Sequence, residues 1–111
     1  MTERTTPLTR SFNETVRERA TRDPEFRAAL LGEAIQALLA DDLDTAKLAL
    51  RAYINATIGF EKLAGATGTP AKSLMRMFGP NGNPTAANLF LVVRVLQKKT
   101  GVHLEVRASA A

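Results

Sequence analysis

Apolar residues recur at intervals of three or four positions along most of the chain, which is the spacing of amphipathic α-helices. One apolar stripe begins at Phe26 and continues through Leu30 and Ile35, and another runs from Leu43 to Ile54. Both stripes are longer than a typical strand. The pattern therefore predicts two consecutive amphipathic helices in the first half of the chain.

A shorter helix is expected before these two. Ser11 and Glu14 have the spacing of a capping box and predict a helix from about Phe12 to Arg22. Residues 1–10 mix Thr, Arg, Glu and Pro and are expected to form a flexible tail. Because this tail has no apolar segment, we do not expect a secretory signal there.

Acidic residues mark where the second and third helices begin. Asp23 followed by Pro24 predicts an N-cap and a first helical residue, so a helix is expected from there to about Ala40. The aspartates of residues 41–44 favour the positive end of the next helix dipole. They lack the twelve-residue calcium-loop pattern with its central glycine, so capping is their expected role.

The rhythm of the pattern changes after residue 58. Residues 59–66 have room only for a short helix, and Gly68 predicts a break because glycine readily adopts a positive φ. A second short helix is expected from Pro70, and its buried face should consist of three apolar residues. These are Leu74, Met77 and Phe78. Residues 79–84, Gly-Pro-Asn-Gly-Asn-Pro, predict a loop.

The last predicted elements are a longer helix and a short strand. The helix should open at Pro84 and end before Gly101, with Lys98 and Lys99 balancing its C-terminal dipole. Apolar and polar residues then alternate from Val102 to Val106, as in a strand. A single strand leaves its backbone groups unpaired, so pairing with a second subunit is favoured over a tail packed on its own bundle.

These elements predict an all-α fold: a five- to six-helix bundle with an N-terminal helical extension and a short C-terminal strand. We expect a flexible tail over residues 1–10 and the extension over residues 11–42. The main domain, with the strand, should span residues 43–107, and residues 108–111 should form a second tail.

Charge and composition narrow the possible functions. Residues 58–111 carry seven Lys and Arg against two Asp and Glu, whereas residues 1–57 carry eight against nine. A polyanion is therefore expected to bind the second half of the chain. The chain has no cysteine, and His103 is its only histidine, so neither a zinc site nor a nucleophile–base pair is expected.

The same features predict what the chain lacks. No glycine-rich phosphate loop is present, so we expect no enzyme activity, no cofactor and no metal. The longest apolar runs, such as residues 89–93, are far shorter than a membrane span. A cytoplasmic protein that does not enter the membrane is expected.

Residues 58–85 meet the requirements of a helix-turn-helix, in which the second helix enters the DNA major groove. Ala64 is small enough to let the two helices approach closely, and Gly68 permits the tight turn. If the second helix buries its apolar face, its N-terminal outward side is left for DNA. That side is expected to present Ala71, Lys72, Met75 and Arg76.

The pieces Gly-Phe-Glu-Lys-Leu-Ala, Gly68, Ser-Leu-Met-Arg-Met-Phe and Gly-Asn-Pro-Thr of residues 59–85 resemble the probable addiction-module antidote proteins. These antitoxins carry a phage-repressor-like helix-turn-helix, and the resemblance covers roughly residues 43–106. It implies a bundle of five or so helices around the DNA-reading pair. It also implies a homodimer that binds double-stranded operator DNA, represses its own operon and is encoded beside a small basic toxin.

The resemblance also implies which residues meet DNA. The recognition helix would begin at Pro70. The sequence departs from the family at three positions: the family usually has an apolar residue at Thr69, a longer polar or basic one at Ala71 and an aromatic one at Met75. Phosphate contacts would then supply a larger share of the affinity. The candidate DNA-binding residues are Ala71, Lys72, Ser73, Met75, Arg76, Asn81, Asn83 and Thr85.

Plainer interpretations stay open for these candidates. Lys72 and Arg76, four residues apart on one helix side, are also compatible with ordinary solvated charges. Asn81 and Asn83 could serve only their own turn. A stand-alone regulator without a toxin, and a helical interaction module that does not bind DNA, are the alternative functions. Exposed apolar side chains within residues 12–40 would favour a toxin-binding segment.

Overall fold

The computed structural model describes residues 5–111, with side chains described from Glu14 onward. This part of the chain contains six helices and no strand. The helices are α1 (Thr5–Arg22), α2 (Pro24–Leu39), α3 (Leu43–Ala56), α4 (Gly59–Thr67), α5 (Ala71–Met77) and α6 (Ala86–Thr100). The predicted all-helical fold is confirmed at this level.

Helix α1 begins earlier than the sequence predicts. It starts at Thr5, so residues 5–10 are helical and not a tail, and residues 1–4 lie outside the described residues. Pro7 falls in the first turn, where a missing backbone N–H breaks no helical hydrogen bond. The helix therefore continues through Ser11, whose side chain lies outside the described residues, and the predicted start there is wrong.

The predicted N-cap of α2 is confirmed, and of the three aspartates expected at the start of α3, Asp42 is its N-cap. The Asp23 carboxylate accepts hydrogen bonds from the backbone N–H of Phe26 at 3.2 Å and of Glu25 at 3.1 Å. The Asp42 carboxylate accepts one from the backbone N–H of Thr45 at 3.2 Å. The Thr45 side chain and backbone N–H stabilise the charged form of Asp42, and the N–H of Phe26, together with Arg19 and the N–H of Glu25, stabilises that of Asp23. The pKa of both aspartates therefore lies below its ordinary value.

The helices from α2 through α6 share one apolar core. The most extensive packing between two helices is that of α2 against α3. The core residues are Leu31, Ala34, Leu50, Tyr53, Ile54, Phe60, Leu63, Leu74, Phe78, Val92, Val95, Leu96 and Val102. Helix α1 packs across α2 and α3, with Ala20 fully buried. No helix in the described residues is both long and apolar enough to cross a bilayer.

A single arginine ties the end of α1 to the end of α6. Arg27 donates from Nε to the carbonyl of Thr100 at 2.9 Å, and from Nη1 to the carbonyls of Ala20 at 2.8 Å and Thr21 at 3.3 Å. The last carbonyls of a helix have no partner within it and carry its negative dipole end. Arg27 therefore satisfies two helix C-termini with one cation.

The C-terminal segment packs on its own bundle and is not a strand in the single chain. Gly101 ends α6 in the left-handed conformation, with φ 69°. The backbone N–H of Leu104 then donates to Gln97 Oε1 at 2.9 Å, and Val102 is buried. Val106 is 81% exposed. Only residues 102–104 are held by the bundle, and pairing of this segment with a second copy stays a prediction.

Two consecutive buried hydrogen bonds in the core link Tyr53 to Thr100 and Thr100 to Leu96. The Thr100 hydroxyl donates to the carbonyl of Leu96 at 2.6 Å, so the Tyr53 hydroxyl, 2.6 Å from Thr100 Oγ1, must be the donor to it. Burial disfavours the tyrosinate and raises the pKa of Tyr53 above its ordinary value of 10.0. The folded protein therefore holds this proton more tightly than the unfolded chain.

Tyr53 should make the protein less stable at alkaline pH. Its contribution to the free energy of unfolding is fully present below pH 10.0 and is lost as the pH rises from there through the folded-state pKa. Tyr53→Phe should weaken this alkaline loss, measured as unfolding midpoints on either side of pH 10.0. Because the chain has one tyrosine and no tryptophan, tyrosinate absorbance reports this group alone. An alkaline loss of equal size in Tyr53→Phe would contradict the prediction.

Candidate nucleic-acid interface

Helices α4 and α5 form a pair joined by a three-residue connection. Gly68 ends α4 with φ 76°, and its N–H donates to the carbonyl of Ala64 at 2.9 Å. The Thr67 hydroxyl accepts from the N–H of Thr69 at 3.3 Å, which fixes the turn. Pro70 follows in an extended conformation, so α5 begins one residue later than predicted, at Ala71. The two helices pack against each other.

One side of α5 is buried, and it includes a residue that was expected to face outward. Leu74 and Phe78 are each 1% exposed, and Met77 packs on the core beside them. Ala71 also packs partly against the core, because positions 71, 74 and 78 share one face of the helix. The outward placement predicted for Ala71 is therefore corrected. Ser73 is half-buried.

The opposite side of α5 is uncovered. Lys72, Met75 and Arg76 lie three and four residues apart and are all exposed, Met75 to 43%. Within the described part of the chain, neither Lys72 nor Arg76 makes a hydrogen bond or an ion pair with another residue. Two unpaired cations and a flexible apolar side chain therefore project from one short helix face.

The loop after α5 is anchored by a buried lysine. Lys47 of α3 is 5% exposed, and its ammonium donates to the carbonyls of Gly82 at 2.7 Å and Pro80 at 3.3 Å. Its nearest carboxylate is the exposed Asp44, at 3.8 Å. Lys47 was not among the candidates expected from the sequence, although it lies between Leu43 and Leu50 on the apolar stripe of α3, where a lysine needs buried acceptors.

Gly82 packs directly onto the end of α5. A Cβ atom at this position would lie 2.2 Å from the carbonyl oxygen of Met77 and 2.3 Å from that of Arg76. The Gly82 N–H also donates to the carbonyl of Gly79 at 3.0 Å. The absence of a side chain at residue 82 therefore sets how closely the loop approaches α5.

The polar residues of the loop differ in what they do. Asn81 and Asn83 are exposed, and their side chains make no hydrogen bond to another described residue, so capping of their own turn is not seen. Thr85 is the N-cap of α6, and its Oγ1 accepts from the N–H of Asn88 at 3.1 Å. Helix α6 therefore begins at Ala86, later than the predicted Pro84. The Thr85 hydroxyl hydrogen remains able to donate.

The arrangement is suited to binding an anionic backbone. Lys72 and Arg76 offer N–H donors, and the exposed asparagines on either side of Gly82 add amide groups in the loop that packs on the end of α5. Among the described residues, no cluster of three or more His, Cys, Asp or Glu side chains could hold a metal ion. His103 and Glu105 are both about four-fifths exposed and 3.9 Å apart.

Comparisons of the chain with protein-family profiles, curated proteins and solved structures gave no match. The likeness of residues 59–85 to antitoxins therefore stands as a resemblance of sequence pieces. Any functional assignment has to be supported by the uncovered side of α5 and the loop beside it.

Proposed function

We propose that the chain is a sequence-specific DNA-binding transcriptional repressor, with α4 and α5 as its helix-turn-helix. The observation that carries this proposal is the uncovered side of α5. Lys72, Met75 and Arg76 are exposed, and neither cation has a partner in the described residues, while Leu74 on the opposite side is buried. A recognition helix needs this division, because its buried side holds it and its bare side enters the groove.

The exposed groups divide into those that distinguish bases and those that bind any sequence. Arg76 can donate two hydrogen bonds to a guanine edge, and Met75 can contact a thymine methyl group. Lys72, Asn81 and Asn83 suit phosphate oxygens, which position the protein without distinguishing bases. Because Ala71 packs inward, base recognition depends mainly on Arg76 and Met75.

A homodimer completes the proposal. Repressors of this kind bind two half-sites about one helical turn apart, so two copies of α5 must be held at that spacing. The segment Val102–Val106 is a suitable connection, since its last residues are exposed and its backbone beyond Leu104 makes no hydrogen bond to another described residue. Pairing two such segments as antiparallel strands would satisfy these groups and cover Val106.

A protein partner is also part of the proposal, as expected for an antitoxin that represses its own operon. Leu39, which lies within residues 12–40, is 68% exposed. A regulator without a partner has less reason to leave such an apolar residue in water. This exposure favours the antitoxin over the stand-alone regulator. The helical interaction module without DNA binding remains the alternative from another class.

The salt dependence of DNA affinity tests the proposal. Binding to a short duplex from the chain's own promoter should weaken steeply as salt rises, because each neutralised phosphate releases counterions. Lys72→Ala should flatten the slope of log affinity against log salt by about one unit. Fluorescence anisotropy titrations at several salt concentrations measure this slope.

Lys98→Ala is the matched control, because Lys98 is also an exposed lysine but lies in the last turn of α6. Its slope should equal that of the unmodified protein. Equal slopes for Lys72→Ala and the unmodified protein would contradict the phosphate role of Lys72. If no duplex binds even at low salt, the interaction module replaces the repressor.

A further inference from the structure

An open groove with an apolar floor runs between α1 and α3. Its volume is about 560 Å³, and Val16, Ala52 and Ala56 contribute the apolar surface. Leu48 and Arg51 of α3 also line this groove. Since no part of the described chain fills it, the groove is a surface on which another molecule can pack.

The groove continues along α3 toward the loop after α5. Leu48 and Arg51 also line a neighbouring depression of about 270 Å³, whose other wall includes Gly79 and Pro80. Leu48, 67% exposed, therefore lies in the middle of one continuous surface. An exposed leucine between two apolar hollows offers a central anchor for a docking segment.

The rim of the groove is cationic. Arg51 makes no hydrogen bond or ion pair with any described residue, and Arg17 uses one N–H to reach the carbonyl of Asn55 at 3.1 Å. Among the described residues that line the two hollows, the only acid is Asp44, which lies 3.8 Å from Lys47 at the far end. The two guanidinium groups can therefore bind carboxylates of an occupant.

We infer that this groove binds an amphipathic helix of a partner protein, with acidic residues flanking the apolar face of that helix. Apolar residues one turn apart would contact Leu48 and the floor, and the flanking carboxylates would pair with Arg17 and Arg51. A nucleic acid could use the arginines but has no use for Leu48 or the apolar floor. The inference is independent of DNA binding.

Titration with synthetic peptides tests this inference. The probe is a labelled helical peptide with leucines on one face and glutamates beside them, and fluorescence anisotropy measures its binding. We expect micromolar affinity, weakened about tenfold or more by Leu48→Asp and by Arg51→Glu. A peptide with lysine in place of glutamate, and a scrambled acidic peptide, should bind far more weakly.

Two matched variants serve as controls. Phe90→Asp changes an apolar residue of nearly equal exposure, 68%, that does not line the groove, and Arg94→Glu changes an exposed arginine of α6. Neither should alter peptide affinity, and circular dichroism checks that every variant is folded. No binding of the acidic peptide, equal binding of the lysine peptide, or equal losses in the control variants would overturn the inference.

A duplex titration of the same variants separates the two kinds of partner. If Arg51→Glu weakens binding to DNA and Leu48→Asp leaves the peptide affinity unchanged, the cationic rim belongs to the nucleic-acid interface and the inference fails. The peptide titration contains no DNA. A failure of the repressor proposal therefore leaves its result intact.

Discussion

Gly82→Ala is expected to lower the free energy of unfolding by about 3 kcal/mol, near the upper end of ordinary overpacking effects. The new methyl group would lie 2.2 Å from the carbonyl oxygen of Met77 and 2.3 Å from that of Arg76. Both are backbone atoms, so rotation of a side chain cannot relieve the clash. The loop must move away from α5. The midpoint of thermal unfolding should fall by an amount on the order of 10–20 °C.

Gly65→Ala is the matched control for this substitution. Gly65 lies in the middle of α4, and nothing would contact its Cβ within 4 Å. Alanine at such a helical position should raise the free energy of unfolding by roughly 0.5–1 kcal/mol, so the two substitutions should have opposite signs. Gly82→Ala with unchanged stability would mean that residues 79–84 are only loosely held against α5.

The same substitution is expected to weaken DNA binding where the protein is still folded. Lys47 binds the carbonyls of Pro80 and Gly82, so displacing the loop also strains these hydrogen bonds. Asn81 and Asn83, which flank Gly82, would then shift relative to α5 in the proposed interface. Stability and DNA affinity should therefore fall together, and temperatures below the unfolding transition separate the two effects.

Local signals explain how much of the fold could be predicted. Asp23, Asp42 and Gly101 act on backbone groups within a few residues of themselves, so their caps follow from the sequence alone. The apolar stripes likewise show which face of each helix is buried. For this reason α2 to α6 begin and end within about two residues of their predicted positions.

The contacts that position the candidate interface are not local. Lys47 reaches carbonyls 33 and 35 residues away, and no sequence pattern links an α3 lysine to that loop. Whether Ala71 faces the core depends on how α5 is rotated about its own axis, and the sequence of a seven-residue helix does not determine this rotation. The exposure of Lys72 and Arg76 could be predicted from the sequence, because a charged residue opposite a buried leucine is exposed in almost any packing of the helix.

Arg27→Leu is also expected to lower the free energy of unfolding by about 3 kcal/mol. The variant removes the donors to the carbonyls of Ala20, Thr21 and Thr100, and two of these residues are buried. The hydrogen bonds to Ala20 and Thr100 are partly buried, and a carbonyl shielded from water without a donor costs more than the net value of its hydrogen bond. The loss of a cation from two helix C-termini adds to the effect. Chemical denaturation monitored by circular dichroism measures it.

Arg94→Leu and Arg27→Lys separate the causes of this loss. Arg94 is exposed and makes no hydrogen bond or ion pair with another described residue, so its replacement should change stability by less than about 0.5 kcal/mol. Arg27→Lys keeps the charge but cannot direct donors to both α1 and α6. Its free energy of unfolding should therefore lie between those of Arg27→Leu and Arg94→Leu. If Arg27→Lys is as stable as the unmodified protein, charge alone joins the helix ends. If Arg27→Leu is also as stable, the arginine does not hold α1 to the rest of the bundle.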